Sequence, residues 1–205
     1  MALFRTFADP NDPGDMRKAH VLQDAIKVVQ ADPGRLELPD WDMESLEKTR
    51  NALNIFAAQL SDFSDRFGKR GQVDPIVHLM ATSIEWGGNP PRGAIYFSVV
   101  PDKNDGKTAY TLTMPKDVPA DGFWSVSVYN KDGFFEPNDL NAYSVNNVTG
   151  TKNADGSMTI RFGGDSGATN HLPVTEGWNY TIRLYLPGWE ITEGEWTPPA
   201  PEPAG

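Results

Sequence analysis

Apolar residues in the first part of the chain recur at spacings of three and four, which is the spacing of one face of an α-helix. The spacing predicts an amphipathic helix over residues 14–30 and is set by Ala19, Leu22, Ile26 and Val29. The Asp32-Pro33-Gly34 sequence ends the pattern, because proline and glycine both interrupt helices. One helix is therefore expected before residue 32.

A second, longer helix is predicted from Asp40 or Asp42 to Phe67. Its apolar stripe repeats every seven residues at Leu46, Leu53, Leu60 and Phe67, with Phe56 and Phe63 between them. Such a stripe is a packing face. It would cover the rest of the domain or pair with another subunit.

A third helix has the clearest N-terminal signal. Asp74 is suited to cap the open backbone N–H groups, and Pro75 occupies the first helical position, where no N–H is needed. Ile76, Met80 and Ile84 give the helix an apolar side. The Gly87-Gly88 pair is expected to end it.

From residue 94 onward, the pattern changes to short strands separated by Gly, Asp, Asn and Pro. Residues 94–100 and 108–114 are predicted as strands, and Asp105-Gly106 between them suggests a hairpin. Asn153–Ser157 is predicted as a hairpin turn into a strand over 158–162, and residues 178–186 as a long final strand.

The stretch 122–145 is the most aromatic part of this region. Trp124, Val126 and Val128 alternate with serines, which predicts a half-buried central strand. Lys131-Asp132-Gly133 then forms a turn, and Phe134 and Phe135 are expected to be apolar anchors.

Together these elements predict an α+β protein, a jelly-roll-like antiparallel β-sandwich preceded by about three helices. The expected organisation has three segments. An N-terminal helical segment (1–72) packs on the sandwich, an entry helix and sandwich follow (73–199), and a Pro-rich tail ends the chain (200–205).

The amino-acid composition restricts the kinds of molecule that this protein is expected to bind. The 205 residues carry 18 Lys and Arg against 28 Asp and Glu, and the net charge of −10 disfavours nucleic acid and anionic membrane surfaces. The absence of cysteine excludes disulfides and thiolate chemistry. The N-terminus resembles no signal peptide, so a cytoplasmic location is expected; a mature exported form with an added Met would look the same.

Candidate chemistry begins with a short glycine-rich sequence. Gly164-Asp165-Ser166-Gly167 matches the nucleophile loop of trypsin-like serine proteases, but no suitably placed His accompanies it, and a turn is the preferred interpretation. The three histidines, His20, His78 and His171, are too far apart in sequence to suggest a metal site. No metal or cofactor is predicted.

A catalytic hypothesis is that several titratable side chains line one groove and act there as acid and base. His78 and Glu85 lie seven residues apart on the third helix, and with His171 they are the candidate acid–base groups. Arg183 points away from Ile182 and Leu184, where it would pair with a carboxylate such as Glu85 or bind an anionic ligand.

Aromatic side chains supply the other candidate contacts. Trp41, Trp189 and Trp196 lie outside the strongest strand patterns and are candidates for exposed stacking residues.

A run of short motifs resembles one bacterial family. The motifs are Glu85-Trp86-Gly87-Gly88-Asn89-Pro90-Pro91, Phe123-Trp124-Ser125, Asn138–Ser144, Asp155-Gly156-Ser157, Asn170-His171-Leu172-Pro173, Ile182-Arg183-Leu184-Tyr185 and Gly194-Glu195-Trp196-Thr197-Pro198-Pro199. Over roughly Val73 to Pro199 the chain resembles the bacterial domain of unknown function 1214, which often accompanies domain 1254 in longer proteins.

The resemblance implies a jelly-roll sandwich with packed helices, a second sandwich domain in longer relatives, and oligomeric assembly. It implies no settled reaction. The chain departs from the pattern by lacking the 1254 partner and an export signal, and by having His171 where Trp is common.

The functional expectation is a ligand-binding or self-assembling domain without demonstrated catalysis. The ligand would be a small molecule or a glycan, held by Trp86, Arg183, Tyr185 and Trp196, and the chain is expected to form a homo-oligomer. The alternatives are a small-molecule hydrolase or lyase using a His/Glu/Arg pocket, and a carbohydrate-binding module, which would need a flat row of exposed rings.

Overall fold

The computed structural model describes residues 4–9, 12–32, 34–59, 66–84 and 88–204. The chain forms two compact units, Met1–Asp42 and Met43–Gly205. Among the predicted site residues, Glu85 and Trp86 lie outside the described residues.

The first unit contains helix α1 (Pro13–Asp24). The Asp12 side chain caps it by accepting a hydrogen bond from the Gly14 N–H at 2.7 Å, and Pro13 occupies the first position. The helix ends at Asp24, so the predicted extension to Gln30 is wrong. Residues 26–30 are exposed and have no regular structure, because nothing within the unit buries their apolar side chains.

The second unit begins with helices α2 (Met43–Ala57) and α3 (Pro75–Ile84), which pack against each other. The Arg50 Nε–H donates to the Ser83 carbonyl at 3.0 Å and links them. Asp74 caps α3 as predicted, accepting from the Ile76 N–H at 2.7 Å.

The α2 prediction is wrong at its C-terminal end. Phe67 is not helical, while Leu60 and Phe63 lie outside the described residues. Leu46 is 50% and Phe56 64% exposed, and Ala57 is the buried position. The seven-residue stripe therefore faces solvent over much of its described length.

The remainder of this unit is a β-sandwich. Its elements are β1 (Ala94–Val99), β2 (Tyr110–Met114), β3 (Trp124–Tyr129), β4 (Ser144–Asn146), β5 (Met158–Phe162), β6 (His171–Leu172), β7 (Asn179–Tyr185), α4 (Trp189–Thr192) and β8 (Glu202–Pro203). The described strands form two four-stranded sheets, with orders β1-β7-β3-β4 and β6-β5-β2-β8. All pairs are antiparallel except β5 with β6, and the predicted α+β sandwich is confirmed.

Alternation along the strands builds the core. Inward positions on β7 and β5, such as Ile182, Leu184 and Ile160, are fully buried, while their sequence neighbours are partly exposed. Trp178 and Phe162 add aromatic volume between the sheets. This burial is the main stabilising contribution of the unit.

The predicted hairpin between β1 and β2 is wrong, because the two strands belong to different sheets. The connecting loop crosses the sandwich and packs on the segment before β7, where Asp105 pairs with Glu176. Gly106 has φ +72°, and an added Cβ would lie 2.6 Å from the Glu176 nitrogen. Glycine is thus needed for a close approach between loops as well as for its turn conformation.

The predicted hairpin at Asp155-Gly156-Ser157 is also wrong. The segment is a tight turn, closed by the Asn153 N–H donating to the Ser157 carbonyl at 2.8 Å. It nevertheless joins β4 of one sheet to β5 of the other. Gly164–Gly167 forms part of a loop, as predicted.

Two expectations for the aromatic stretch are corrected. Strand β3 is central, as predicted, but it is buried on both faces, with Ser125 9% and Ser127 5% exposed. Phe134 and Phe135 are 69% and 49% exposed and do not anchor the core. They follow the turn at Gly133, where the chain has already left the sheet.

Candidate functional site: an arginine within an aromatic row

The candidate site lies on the sheet β1-β7-β3-β4, on the face turned away from the core. We call this surface the Arg183 face. Its outward positions are Tyr96, Ser98, Ser125, Ser127, Tyr129, Ser144, Asn146, Asn179, Thr181, Arg183 and Tyr185, as the strand registers and burial alternation define them. Apart from the rings, they are almost all hydroxyl or amide side chains.

Arg183 occupies the middle of this face. Its Nη2 donates to the Tyr129 hydroxyl at 2.6 Å. The guanidinium carbon lies 5.9 Å from the centre of the Tyr96 ring and 5.6 Å from that of Tyr129, both within cation–π range. Among the described residues, no carboxylate lies within 4.0 Å of this guanidinium.

Aromatic rings extend from Arg183 toward the start of β3. Tyr185, on the same strand, makes an edge contact with Tyr96 at 6.4 Å. Tyr185 also stacks on Phe123, with centroids 4.3 Å apart and an interplanar angle of 18°. Arg183 is therefore continuous with three rings on this side.

A second set of rings continues on the other side. Tyr129 stacks on Phe135 at 5.0 Å and 7°, and Phe135 packs on Tyr143 at 5.2 Å. We call the six rings and Arg183 the aromatic row. It runs in the order Phe123, Tyr185, Tyr96, Arg183, Tyr129, Phe135, Tyr143.

Hydroxyl groups lie among these rings. The Ser127 Oγ donates to the Ser144 Oγ at 3.0 Å, and the Ser98 and Thr181 hydroxyls are 3.4 Å apart. Ser125 is paired directly with Arg183 across β3 and β7. Hydroxyl groups can rotate to donate or to accept a hydrogen bond.

The electrostatic character of the row favours an anion. The Arg183 guanidinium adds a full positive charge in a chain whose net charge is −10. A carboxylate or similar oxyanion is the complementary group.

The structure brings Arg183 and Tyr185 together on this face and places His171 elsewhere. His171 lies on β6 in the other sheet, beside the outward-facing Arg161. Both of its ring nitrogens are buried without a hydrogen-bond partner among the described residues. His171 and Arg183 therefore do not share a pocket.

His78 has a structural environment on α3. Its Nδ1 lies 2.8 Å from the Arg66 carbonyl oxygen, and its ring makes an edge contact with Phe67 at 5.5 Å. The predicted partner Glu85 and the predicted contact Trp86 lie outside the described residues.

The tryptophan candidates divide into exposed and packed residues. Trp41 and Trp189 are 62% and 60% exposed. Trp196 is partly buried and its side chain packs against the core, so the prediction that it is an exposed stacking residue is wrong. Its backbone N–H donates to the Glu190 carbonyl at 2.7 Å. The segment after α4 packs on the sandwich, and this places the Trp196 ring against the core.

Three pKa shifts in this unit have structural causes away from the aromatic row. Burial raises the pKa of the Tyr180 phenol to about 12. Hydrogen bonds from the backbone N–H groups of Thr108 and Lys107 lower the pKa of Asp105. The pKa of Asp155 is lowered by hydrogen bonds from the Ser157 hydroxyl and N–H.

Sequence analysis missed Tyr96, Tyr129 and Phe135 as parts of the site. Tyr96 and Tyr129 occupy alternating strand positions opposite to the core residues, which is a signal that the sequence contains. Phe135 follows the turn after β3 and carries no such signal, because its stack on Tyr129 depends on how that turn folds back.

Other classes of site receive no support from the described part of the chain. It contains no group of three or more His, Asp or Glu side chains that could hold a metal ion. None of its helices combines the length and the apolar character needed to cross a membrane.

Comparison with solved structures identifies the fold. The crystal structure of the VPA0106 protein from Vibrio parahaemolyticus is similar, with a TM-score of 0.62 and 21% identity, covering 100% of this chain and 59% of that one. An uncharacterised protein from Burkholderia cenocepacia matches with a TM-score of 0.41 and 20% identity, over 62% of this chain and 32% of that one. This chain thus spans less than two thirds of the length of either protein.

Comparison with protein families agrees with the resemblance of the sequence motifs. No curated protein matches the chain significantly. Residues 93–188, which include β1 to β7, match a family model described as protein of unknown function. Over these residues the chain is similar to that family, DUF1214.

Proposed function

We propose that this domain is a binding module whose Arg183 face takes a small molecule carrying a carboxylate. One observation carries the proposal. The Arg183 guanidinium lies between the Tyr96 and Tyr129 rings, with a neutral hydroxyl as its hydrogen-bond acceptor and no described carboxylate within 4.0 Å.

The guanidinium has donors for such a ligand. Arginine carries five N–H donors in a planar fork, and the hydrogen bond to Tyr129 uses one of them. A carboxylate accepts two parallel N–H bonds from this fork. The two tyrosine rings restrict the guanidinium, so less rotamer entropy is lost when the ligand binds.

The hydrolase or lyase alternative has weaker geometric support. It needs His78, Glu85, Arg183 and His171 around one pocket. His171 and Arg183 lie on outward faces of different sheets, and His78 lies on α3 against Arg66 and Phe67. Acid–base catalysis requires the groups within hydrogen-bond reach of one substrate.

The carbohydrate-binding alternative needs flat ring faces open to solvent. The Tyr129 and Phe135 rings are nearly parallel at 7° and cover each other's faces, and Phe123 covers Tyr185 in the same way. The ring faces that these stacks cover are not open to a sugar.

Self-association is the second candidate function. Helix α3 exposes Ile76, Leu79 and Ile84 at 68%, 54% and 45%, and α2 exposes Ile55 at 68%. Apolar residues clustered on one surface are typical of protein interfaces. Light scattering across the micromolar range tests this candidate, and a strict monomer would contradict it.

Benzoate and benzamide are the probes for the carboxylate proposal, because they have the same shape and differ in charge. We expect benzoate to shift the NMR signals of Arg183 and its neighbours saturably, and benzamide to leave them unchanged. Arg183→Met should weaken benzoate binding at least about tenfold, as expected for loss of a charge-assisted hydrogen bond.

Arg161→Met is the matched control, since it removes the same charge from an outward position of the other sheet. Circular dichroism would establish that both variants fold. Equal benzoate affinity in Arg183→Met and the wild type would refute the proposal.

A further inference from the structure

One end of the sandwich has a cavity of about 200 Å³. It lies where β2 and β4 end and where β3 and β5 begin, so both sheets contribute to it. It is separate from the Arg183 face, whose outward side chains do not line it. The proposed function does not involve this end of the molecule.

The cavity combines core side chains with polar groups. Trp124 and Met158 line it and are 5% and 2% exposed, so they belong to the core. Lys116, Lys152 and Asn147 also line it. A ligand here would meet apolar surface together with hydrogen-bond donors, the usual composition of a small-molecule site.

The local fold positions two of the donors. Asn147 Oδ1 accepts the Trp124 N–H at 3.0 Å, which fixes the amide and leaves its Nδ2 as a donor. The Lys116 stem lies over Gly156, where an added Cβ would be 3.3 Å from the lysine Cβ and 3.7 Å from its Cδ. Gly156 itself has φ +87°, which the turn before β5 requires.

The charges at the cavity favour a negatively charged ligand. Two lysines line it and no acidic side chain does. Asp117 approaches Lys116 at 3.7 Å, but both side chains are exposed, and such a pair is weak. Asp155 interacts electrostatically with Lys116, but it does not line the cavity, and its Oδ1 accepts hydrogen bonds from the Ser157 N–H and hydroxyl at 2.9 and 2.6 Å.

We propose that this cavity binds a compact dianion, with its oxygens on the Lys116 and Lys152 ammonium groups and the Asn147 amide. Small dicarboxylates and phosphate share this chemistry. The two lysines match two negative charges, and the limited volume selects a short molecule over a long one. The site is independent of the Arg183 face.

Malonate and inorganic phosphate are the probes, titrated against the ¹⁵N-labelled full chain at constant ionic strength. Acetate and chloride are the monoanionic comparisons. We expect malonate or phosphate to shift the amide signals of Asn147 and Gly156 saturably and the monoanions to give no saturable shift. Malonate binding without phosphate binding identifies a dicarboxylate, and the reverse result identifies a phosphate compound.

Lys116→Met and Lys152→Met should each weaken dianion binding at least about tenfold. Lys107→Met, in the loop between β1 and β2, is the charge-matched control and should bind as the wild type does. Arg183→Met should also leave dianion binding unchanged, which separates this site from the proposed carboxylate site.

Three results would overturn the proposal. They are no saturable shift with either dianion, unchanged binding in the Lys116→Met/Lys152→Met double variant, and equal weakening in Lys107→Met. The last result would show that only the net charge matters.

Discussion

Arg183 and Arg161 occupy equivalent places in the two sheets, since each points outward from a central strand. Arg161 Nη1 donates to the carbonyl oxygens of Thr169 and Thr159, at 3.1 and 3.5 Å. Arg183 donates to a phenol and lies against two rings. Arg161 thus ties a loop to its sheet, whereas the role proposed for Arg183 is to bind an external acceptor.

The contrast extends over both faces. On the sheet β6-β5-β2-β8, outward threonines pair with each other, as Thr113 and Thr159 do at 3.1 Å. On the Arg183 face, rings stack on rings and surround one cation. The paired threonines satisfy each other, while a partly buried cation without a carboxylate partner among the described residues would gain free energy from an anion.

The largest expected effect is a loss of stability when a buried side chain of either sheet is truncated, which tests whether the two sheets share one core. Ile182→Ala, beneath the Arg183 face, and Ile160→Ala, in the other sheet, both remove fully buried side chains. Each should lower the free energy of unfolding by about 2–5 kcal/mol, measured by urea denaturation. If one variant loses under about 1 kcal/mol, well below the range for such truncations, the sheets do not share one core.

Thr111→Ser is the control for those variants. Thr111 points outward on β2, and its change should stay within about 0.5 kcal/mol.

Tyr180→Phe tests the inner side of the strand that carries Arg183. The Tyr180 hydroxyl is buried without a hydrogen-bond partner among the described residues, so its removal should raise stability by about 1 kcal/mol. Tyr110→Phe is the matched control with the opposite sign, because the Tyr110 hydroxyl accepts the Lys103 N–H at 3.0 Å. Equal effects of the two variants would contradict this difference.

Tyr180→Phe should also differ from the wild type in how its stability depends on pH above 10. The Tyr180 phenol has a pKa of about 12 in the folded chain, against an ordinary value of 10.0. Between pH 10 and pH 12 the Tyr180 phenol ionises in the unfolded chain before it does so in the folded chain. Its contribution to the free energy of unfolding is therefore constant below pH 10, and stability falls as pH rises toward 12. Tyr180→Phe should lose less stability than the wild type in that window.

Sequence periodicity predicted most of the described strands and the α+β sandwich, because side-chain burial alternates directly along each strand. It did not predict how the strands divide between the two sheets. The Asp105-Gly106 and Asp155-Gly156 turns have the composition of hairpin turns, yet each joins strands of different sheets. Turn residues encode local geometry and not the partner of the following strand.

The site was predictable in part for a related reason. An arginine between Ile182 and Leu184 on an alternating strand must point away from the core, which singled out Arg183. Its neighbours depend on strand register, which places Tyr96 directly opposite Arg183 on β1. On β3, Ser125 is opposite Arg183 and Tyr129 lies four residues farther along the same face. Register between distant segments leaves no signal in one sequence.

Tyr129→Phe tests whether the hydroxyl that accepts the Arg183 hydrogen bond is what distinguishes Arg183 from Arg161. It removes the acceptor of Arg183 but keeps the ring beneath the guanidinium. We expect stability to fall by less than about 1 kcal/mol, because the partly buried guanidinium regains water, and benzoate binding to persist. Tyr143→Phe, at the end of the aromatic row, is the control. Loss of benzoate binding in Tyr129→Phe alone would show that the phenol contacts the ligand.

Asp105→Asn has the smallest expected effect and tests the loop that joins the two sheets. Hydrogen bonds from Thr108 and Lys107 lower the Asp105 pKa below its ordinary 3.8, so the carboxylate stabilises the loop above that pH. This contribution is lost as pH falls through the folded pKa. The difference in melting temperature between wild type and Asp105→Asn should therefore be larger near pH 6 than near pH 3. Asp102→Asn removes the same charge from an exposed position of the same loop and is the control. An equal pH dependence in both variants would mean that net charge, and not the loop hydrogen bonds of Asp105, sets acid stability.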